Sequence, residues 1–329
     1  MRRLISWLFS SRRQVAAPAP KLLVMDDSEL DDLLLGGAEL PMIDWDAAES
    51  RVARLDGGDH ERDLWRRSLT AAWLDRLRAE LKSPHIRWRT ASVEGIAPAD
   101  ADLHSMITRV SEASFVRIHS GLSPAWDGHP IPPAAVVAVA STDDYYTLKA
   151  TAYGVEGEFA ASAGCYLRRP FPLVLLPTTV RWSVGATIAH ELTHHALTGL
   201  SLPLWVEEGL TQTMEEVVLG QQTGFRVDRE MLERHIAHWS ESGLEGFWSG
   251  EAFSSAAEDD QELSYHLAEL LARRLLADRR RDYLAFIQRC DSEDAGAAAA
   301  KSCLGVTLAE LVAGSLGPGD WVPGSNPQA

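Results

Sequence analysis

Only three cysteines occur in 329 residues, Cys165, Cys290 and Cys303. So small and odd a number builds no dense disulfide framework, and nothing about it demands an oxidising compartment. Positive charge is also short: 31 Lys and Arg stand against 47 Asp and Glu, a net charge of −16. That field repels phosphate backbones and disfavours a general nucleic-acid-binding role. Long apolar runs are missing too, since none reaches the roughly 18–20 residues that cross a bilayer. The export-like stretch Leu4 to Phe9 is shorter than the roughly 7–15 residues of a signal h-region. Arg12 and Arg13 close it off. These absences point to a cytoplasmic chain. The alternative is membrane contact through the N-terminus, with Trp7, Leu8 and Phe9 dipping into an interface between arginines.

What is present suits a globular protein. The chain is 46% hydrophobic and carries eleven Trp, enough apolar material for a sizeable core. Residues 1–20 are expected to form a flexible basic N-terminus ending in the linker-like Ala16–Pro20. An N-terminal helical extension is expected over 21–83: an acidic, leucine-containing stretch with a short helix, then a helix near 62–81. Its stripe is Leu64, Leu69, Trp73, Leu74, Leu77 and Leu81. After Pro84 the texture changes. Ile86, Trp88 and Thr90 alternate with arginines as a half-buried strand does. A helix over 99–116, a central strand over 134–140, extended chain and turns over 153–166, and a strand over 173–176 follow. Helices then dominate, over 183–198, 204–219, 228–240, 259–278, 281–290 and 307–315. The last opens on Thr307 and Glu310, spaced as a capping box. Strands first and helices afterwards predict an α+β domain over 84–316, with a disordered Gly/Pro-rich tail over 317–329.

The chemistry concentrates at His190-Glu191-Leu192-Thr193-His194. Four residues is a little over one helical turn, so both imidazoles project from one face and can fill two vertices of a tetrahedral zinc site. Glu191 lies about 100° around the helix, placed to act on water rather than as an equal ligand. Ser183 is positioned to cap this helix, and Ile188, Leu192 and Leu197 are its apolar anchors. A catalytic zinc needs a third protein ligand. A downstream histidine spaced as in H-E-x-x-H-x-x-G-x-x-H is absent, because Leu197 and Leu200 hold those places. The next helix offers Glu207 and Glu208. They point about 100° apart, so one faces the metal, and helix geometry alone does not choose between them.

The sequence His190-Glu191-x-x-His194 followed by Leu204-Trp205-Val206-Glu207-Glu208-Gly209-Leu210 resembles the gluzincin metallopeptidases, in particular the peptidase MA-like group. In that family the Glu before the Gly of W-L-x-E-G-[LF]-A is the third ligand. The resemblance therefore implies a zincin-like fold over 84–316, zinc on His190, His194 and Glu208, and hydrolysis of peptide or protein substrates. Glu191 is the implied general base for a zinc-activated water. It also implies that Tyr265, in Ser264-Tyr265-His266-Leu267, hydrogen-bonds the oxyanion; the bland reading of Tyr265 is a half-buried helix aromatic. Two departures stand out. Thr211, Gln212 and Thr213 follow where the family has an acidic residue or a tyrosine pair, so Gln212 is the candidate acceptor for a ligand histidine. No G-x-M-E-N-like segment is present, which favours an endopeptidase.

Other residues take quieter readings. His195 is a helix-surface or supporting residue, and His266 is ambiguous. Ala160–Gly164 is a tight turn, or else an edge that pairs with substrate backbone. Cys165 is a small core residue, and Cys290 and Cys303 flank an Ala-rich connection across which they could approach. Glu258-Asp259-Asp260 with Glu262 is a helix N-terminal charge pattern. The rival functions are a catalytically silent zincin-fold binding or regulatory protein, and a metal-free helical interaction protein.

Overall fold

The computed structural model describes residues 21–122, 133–154, 162–168, 172–220, 227–319 and 321. The expectations for residues 1–20, for Ala160 and Ala161, and for most of the tail lie outside them. The architecture is α+β, and the described residues divide into two compact units.

The first unit holds the sheet and runs through residues 21–116, 133–154, 162–168 and 172–195. It opens with helices α1 (Asp27–Asp31), α2 (Trp45–Ala53) and α3 (Asp59–Glu80). Asp26 and Asp44 cap α1 and α2, each carboxylate accepting a backbone N–H at 2.8 and 2.9 Å. Such caps contribute about 1 kcal/mol apiece. The stripe expected on α3 is buried at Leu69, Trp73, Leu74 and Leu77, and Trp73 Nε1 donates to the Pro41 carbonyl at 2.8 Å.

Strands β1 (His85–Arg89), β2 (Val93–Pro98), β3 (Ala134–Val139), β4 (Cys165–Leu167) and β5 (Leu173–Pro177) form one sheet in the order β1-β2-β3-β5-β4. The β2-β3-β5 centre is parallel, and β1 and β4 pair antiparallel at its two sides. Wholly apolar β3 sits at the middle, buried on both faces as parallel strands are. Helices α4 (Ala101–Leu122) and α5 (Thr142–Tyr153) lie in the connections. Residues of the 21–83 segment, among them Leu30, Met42, Trp73 and Leu77, share one core with Ile96, Val137, Leu148 and Leu175.

The sheet unit departs from the sequence reading in several places, and helix α4 runs to Leu122 rather than ending at 116. Helix α2 and strand β2 were not expected, and α5 falls before a stretch read only as extended chain. Strand β2 carries Gly95 and a buried Glu94, whose carboxylate Arg87 of β1 holds at 2.5 Å. A side chain at Gly95 would overlap the Val136 carbonyl, so that glycine permits the close approach of β3. The alternation in β1 is incomplete: Trp88 is covered over Gly95, while Ile86 at the strand's start is exposed.

Helix α6 (Val184–Leu197) runs out of the sheet unit. The second unit, residues 117–122, 196–220, 227–319 and 321, is helical. It contains α7 (Leu204–Leu219), α8 (Arg229–Ser242), α9 (Glu245–Ser249), α10 (Glu258–Asp278), α11 (Arg280–Arg289), α12 (Ala297–Ala299) and α13 (Leu308–Leu316). The boundaries of α6–α8, α10, α11 and α13 fall within two residues of those read from periodicity, and the Thr307–Glu310 capping box is present.

Helices α7 and α10 approach closely at Gly209, where any side chain would collide with the Ala268 carbonyl. An ion-pair network also ties them, Arg273 reaching Glu216 at 2.5 Å and Glu269 at 2.6 Å. Trp205 anchors an aromatic cluster with Phe247, Trp248 and Phe286, and its Nε1 donates to Ala295 at 3.0 Å. Trp321 is buried, and its Nε1 donates to the Gly317 carbonyl at 2.9 Å. Among the described residues no single helix is long and apolar enough to cross a membrane.

Candidate metal centre

Helix α6 is oriented by an apolar stripe, Val184, Ile188 and Leu192, all buried; this fixes the rotation of the helix and so the direction of its other residues. Ser183 does not cap with its hydroxyl, which donates instead to the Val180 carbonyl at 2.9 Å. His190 and His194, one turn apart, are half-buried, and their Nε2 atoms lie 3.1 Å from each other. Imidazole ligands at roughly 2.0–2.1 Å from one tetrahedral ion sit at about that mutual separation.

The turn after α6 ends at Pro203, whose restricted φ suits the start of α7. Glu208 follows one turn later and is 7% exposed, whereas Glu207 is only half-buried. Thr211 donates to the Glu208 carbonyl at 2.8 Å and approaches its carboxylate oxygen at 3.4 Å. One nitrogen from each of His190 and His194 and one oxygen of Glu208 all lie within 4.8 Å of one another. Two neutral nitrogens and one carboxylate oxygen are a donor set that divalent transition metals accept, zinc included. Among the described residues this is the one such group.

Glu191 points elsewhere, as its 100° offset requires. It is buried against the chain entering β4, where a side chain on Gly164 would come within 3.3 Å of its Oε1. Burial, and then the Glu191 charge, push the Cys165 thiol up to about 12. The Tyr145 hydroxyl is likewise raised by burial first, with Cys165 and Glu191 adding to it. Behind this strip Ser162 Oγ meets Tyr145 Oη at 2.6 Å and Lys149 Nζ at 2.9 Å. The sequence reading singles out neither Tyr145 nor Lys149, takes Cys165 as a small core residue, and includes Ser162 only within Ala160–Gly164, a tight turn or else a substrate-pairing edge. The available signal was Tyr145 and Lys149 at i and i+4, on one face of α5.

The remaining candidates divide. His195 is buried rather than on the helix surface, its Nδ1 3.3 Å from the Tyr166 hydroxyl and its ring beside Phe115. Gln212 makes no hydrogen bond to His190 or His194 among the described residues; the polar contact to Glu208 on that helix comes from Thr211. Tyr265 lies on α10 one turn before Ala268, on the side that meets Gly209, with its ring edge-on to Phe253 at 5.1 Å. His266 turns away and bonds His235. The three cysteines are free thiols.

No family model, no curated protein and no solved structure matches the chain.

Proposed function

We propose that the chain is a zinc-dependent metallopeptidase of zincin-like fold, an endopeptidase acting on peptide or protein substrates. The single observation that carries this reading is the convergence of His190, His194 and Glu208, together with an acid at the position between the histidines that is excluded from the donor set. A purely structural metal site needs no such base. A divalent ion in that donor set supplies Lewis acidity, drawing electrons from a substrate carbonyl and acidifying water.

The chain's own residues do the rest. His190 and His194 present neutral nitrogens, and buried Glu208 brings the one negative charge, its orientation supported by Thr211. Glu191 takes the proton of the attacking water and passes it to the leaving amine, work that typically contributes roughly 10²–10⁴-fold. Tyr265, by the family resemblance, donates its hydroxyl to the oxyanion.

Protein purified without added metal should contain near-stoichiometric zinc and cleave peptides in a proteome-derived library. Glu191→Gln should keep the zinc and lose roughly 10²-fold or more in kcat/KM, and Glu208→Ala should lose the zinc. Absence of zinc from the wild type, or full activity in Glu191→Gln, ends the proposal.

A further inference from the structure

Away from this centre, α8 and α10 are joined through a chain of rings. His235 on α8 is 1% exposed. Trp239 Nε1, which can only donate, lies 3.1 Å from His235 Nδ1. His235 Nδ1 is therefore bare, and the ring proton sits on Nε2. That atom is 2.8 Å from Nδ1 of His266 on α10, which accepts. Both rings are neutral, and every proton points one way, from Trp239 to His235 to His266. The same logic excludes a metal bridging the two rings. A ligating Nε2 gives up its proton, and Nδ1 would then aim an N–H at the Trp239 donor.

We propose that this relay is an acid-sensitive latch holding α8 on α10. One added proton breaks it wherever it lands. On His235 the new N–H faces that of Trp239, and on His266 it faces that of His235. The surrounding charges do not rescue the cation. From α10, His266 opposes it most whenever that ring is itself charged, and from α8 Arg234 and His238 oppose it too; only Glu262 of α10 favours it. That carboxylate is already gripped by Arg234 at 2.7 and 3.0 Å, with Asp259 on the same guanidinium at 2.8 Å. His238 is itself 3.0 Å from Asp260. Helix α13, which also packs on α8, carries only Glu310, engaged in its own cap. Burial is the largest influence, and with the neighbouring cations it holds His235 down at about 3.

The sign follows. Once α8 opens, His235 returns to its ordinary value near 6.5. The open form then binds a proton that the closed form refuses, so the latch is at full strength above that pH. Below it, the open fraction rises about tenfold per pH unit. The flanking Arg234 pairs are exposed and contribute little against this.

Hydrogen exchange on the full chain, corrected for intrinsic rates, tests it. Peptides covering residues 229–242 should open about 30-fold more at pH 5 than at pH 7. His235→Gln should remove that dependence, because its amide can accept from Trp239, donate to His266 and never titrate. Equal opening at the two pH values, or an unchanged response in His235→Gln, overturns the latch. Nitrogen chemical shifts of the wild-type rings give a readout that needs no variant. His235 should remain an Nε2-protonated neutral ring down to pH 4 in molecules whose α8 is protected, and titration near 6.5 in those molecules overturns the proposal.

Discussion

The carboxylate of Glu191 has backbone for a neighbour on one side, because Gly164 presents no side chain to it. Gly164→Ala brings a methyl within 3.3 Å of Glu191 Oε1 and within 2.5 Å of the Thr187 methyl, so something must shift. If Glu191 is the proposed base, displacing it by a fraction of an ångström is costly, because catalysis depends on its geometry. The variant should lose about tenfold or more in kcat/KM while binding zinc normally, which activity and metal analysis on the same sample would establish. Thiol chemistry gives a second check at this scale. Burial pushes both Cys165 and Cys290 up to about 12, so almost no thiolate forms at pH 8. Alkylation at that pH should leave both unmodified in the folded protein and label them after denaturation; rapid native labelling of Cys165 would contradict its placement. His190, Glu191 and His194 were legible in the sequence because a helix fixes their mutual directions. Glu208 could be named only through the family resemblance, since choosing it over Glu207 needs the rotation of a second helix. Thr211, Gly164 and Tyr145 were not legible, as their roles arise from chain segments brought together by folding.

Among elements, the α7–α10 contact concentrates the most structure on one small residue. Gly209 next to Glu208 lets two helix backbones meet, and this sets the depth at which α7 lies. Gly209→Ala inserts a methyl into a backbone carbonyl that cannot swing aside, an overpacking worth roughly 1–3 kcal/mol. Chemical denaturation should show the loss, and zinc affinity should fall with it because Glu208 moves with its helix. The Arg273 network offers a contrasting case. Arg273→Met leaves the buried Glu216 and Glu269 facing each other without a cation, a change that typically costs about 3–5 kcal/mol. Periodicity located the helices of this half well because each has one apolar face. It failed in the sheet half where local preference and fold disagree. Helix α5 is rich in threonine and tyrosine, poor helix formers, and is stabilised by the Ser141 cap and by burial of Tyr145 and Leu148. Strand β2 hid behind a glycine and a glutamate that its neighbours require.

For the whole molecule, the proposed metal and the net charge make opposing claims on stability. An ion bound only by the folded state adds about 2.7 kcal/mol when present at a hundred times its Kd. Chelation should therefore lower Tm, zinc should restore it, and Glu208→Ala should show neither effect. A chain with a net charge of −16 also repels itself, so moderate salt should raise Tm of the chelated protein. Calorimetry with and without chelator separates the two contributions. A further consequence concerns how the protein can be cut. The leucines and tryptophans of α3 lie in one core with Ile96, Val137 and Leu175. A fragment begun at Pro84 to isolate the motif-bearing half would leave that sheet face wet and sticky, and it should precipitate. Anyone wanting a smaller version must keep the first helices or supply them in trans.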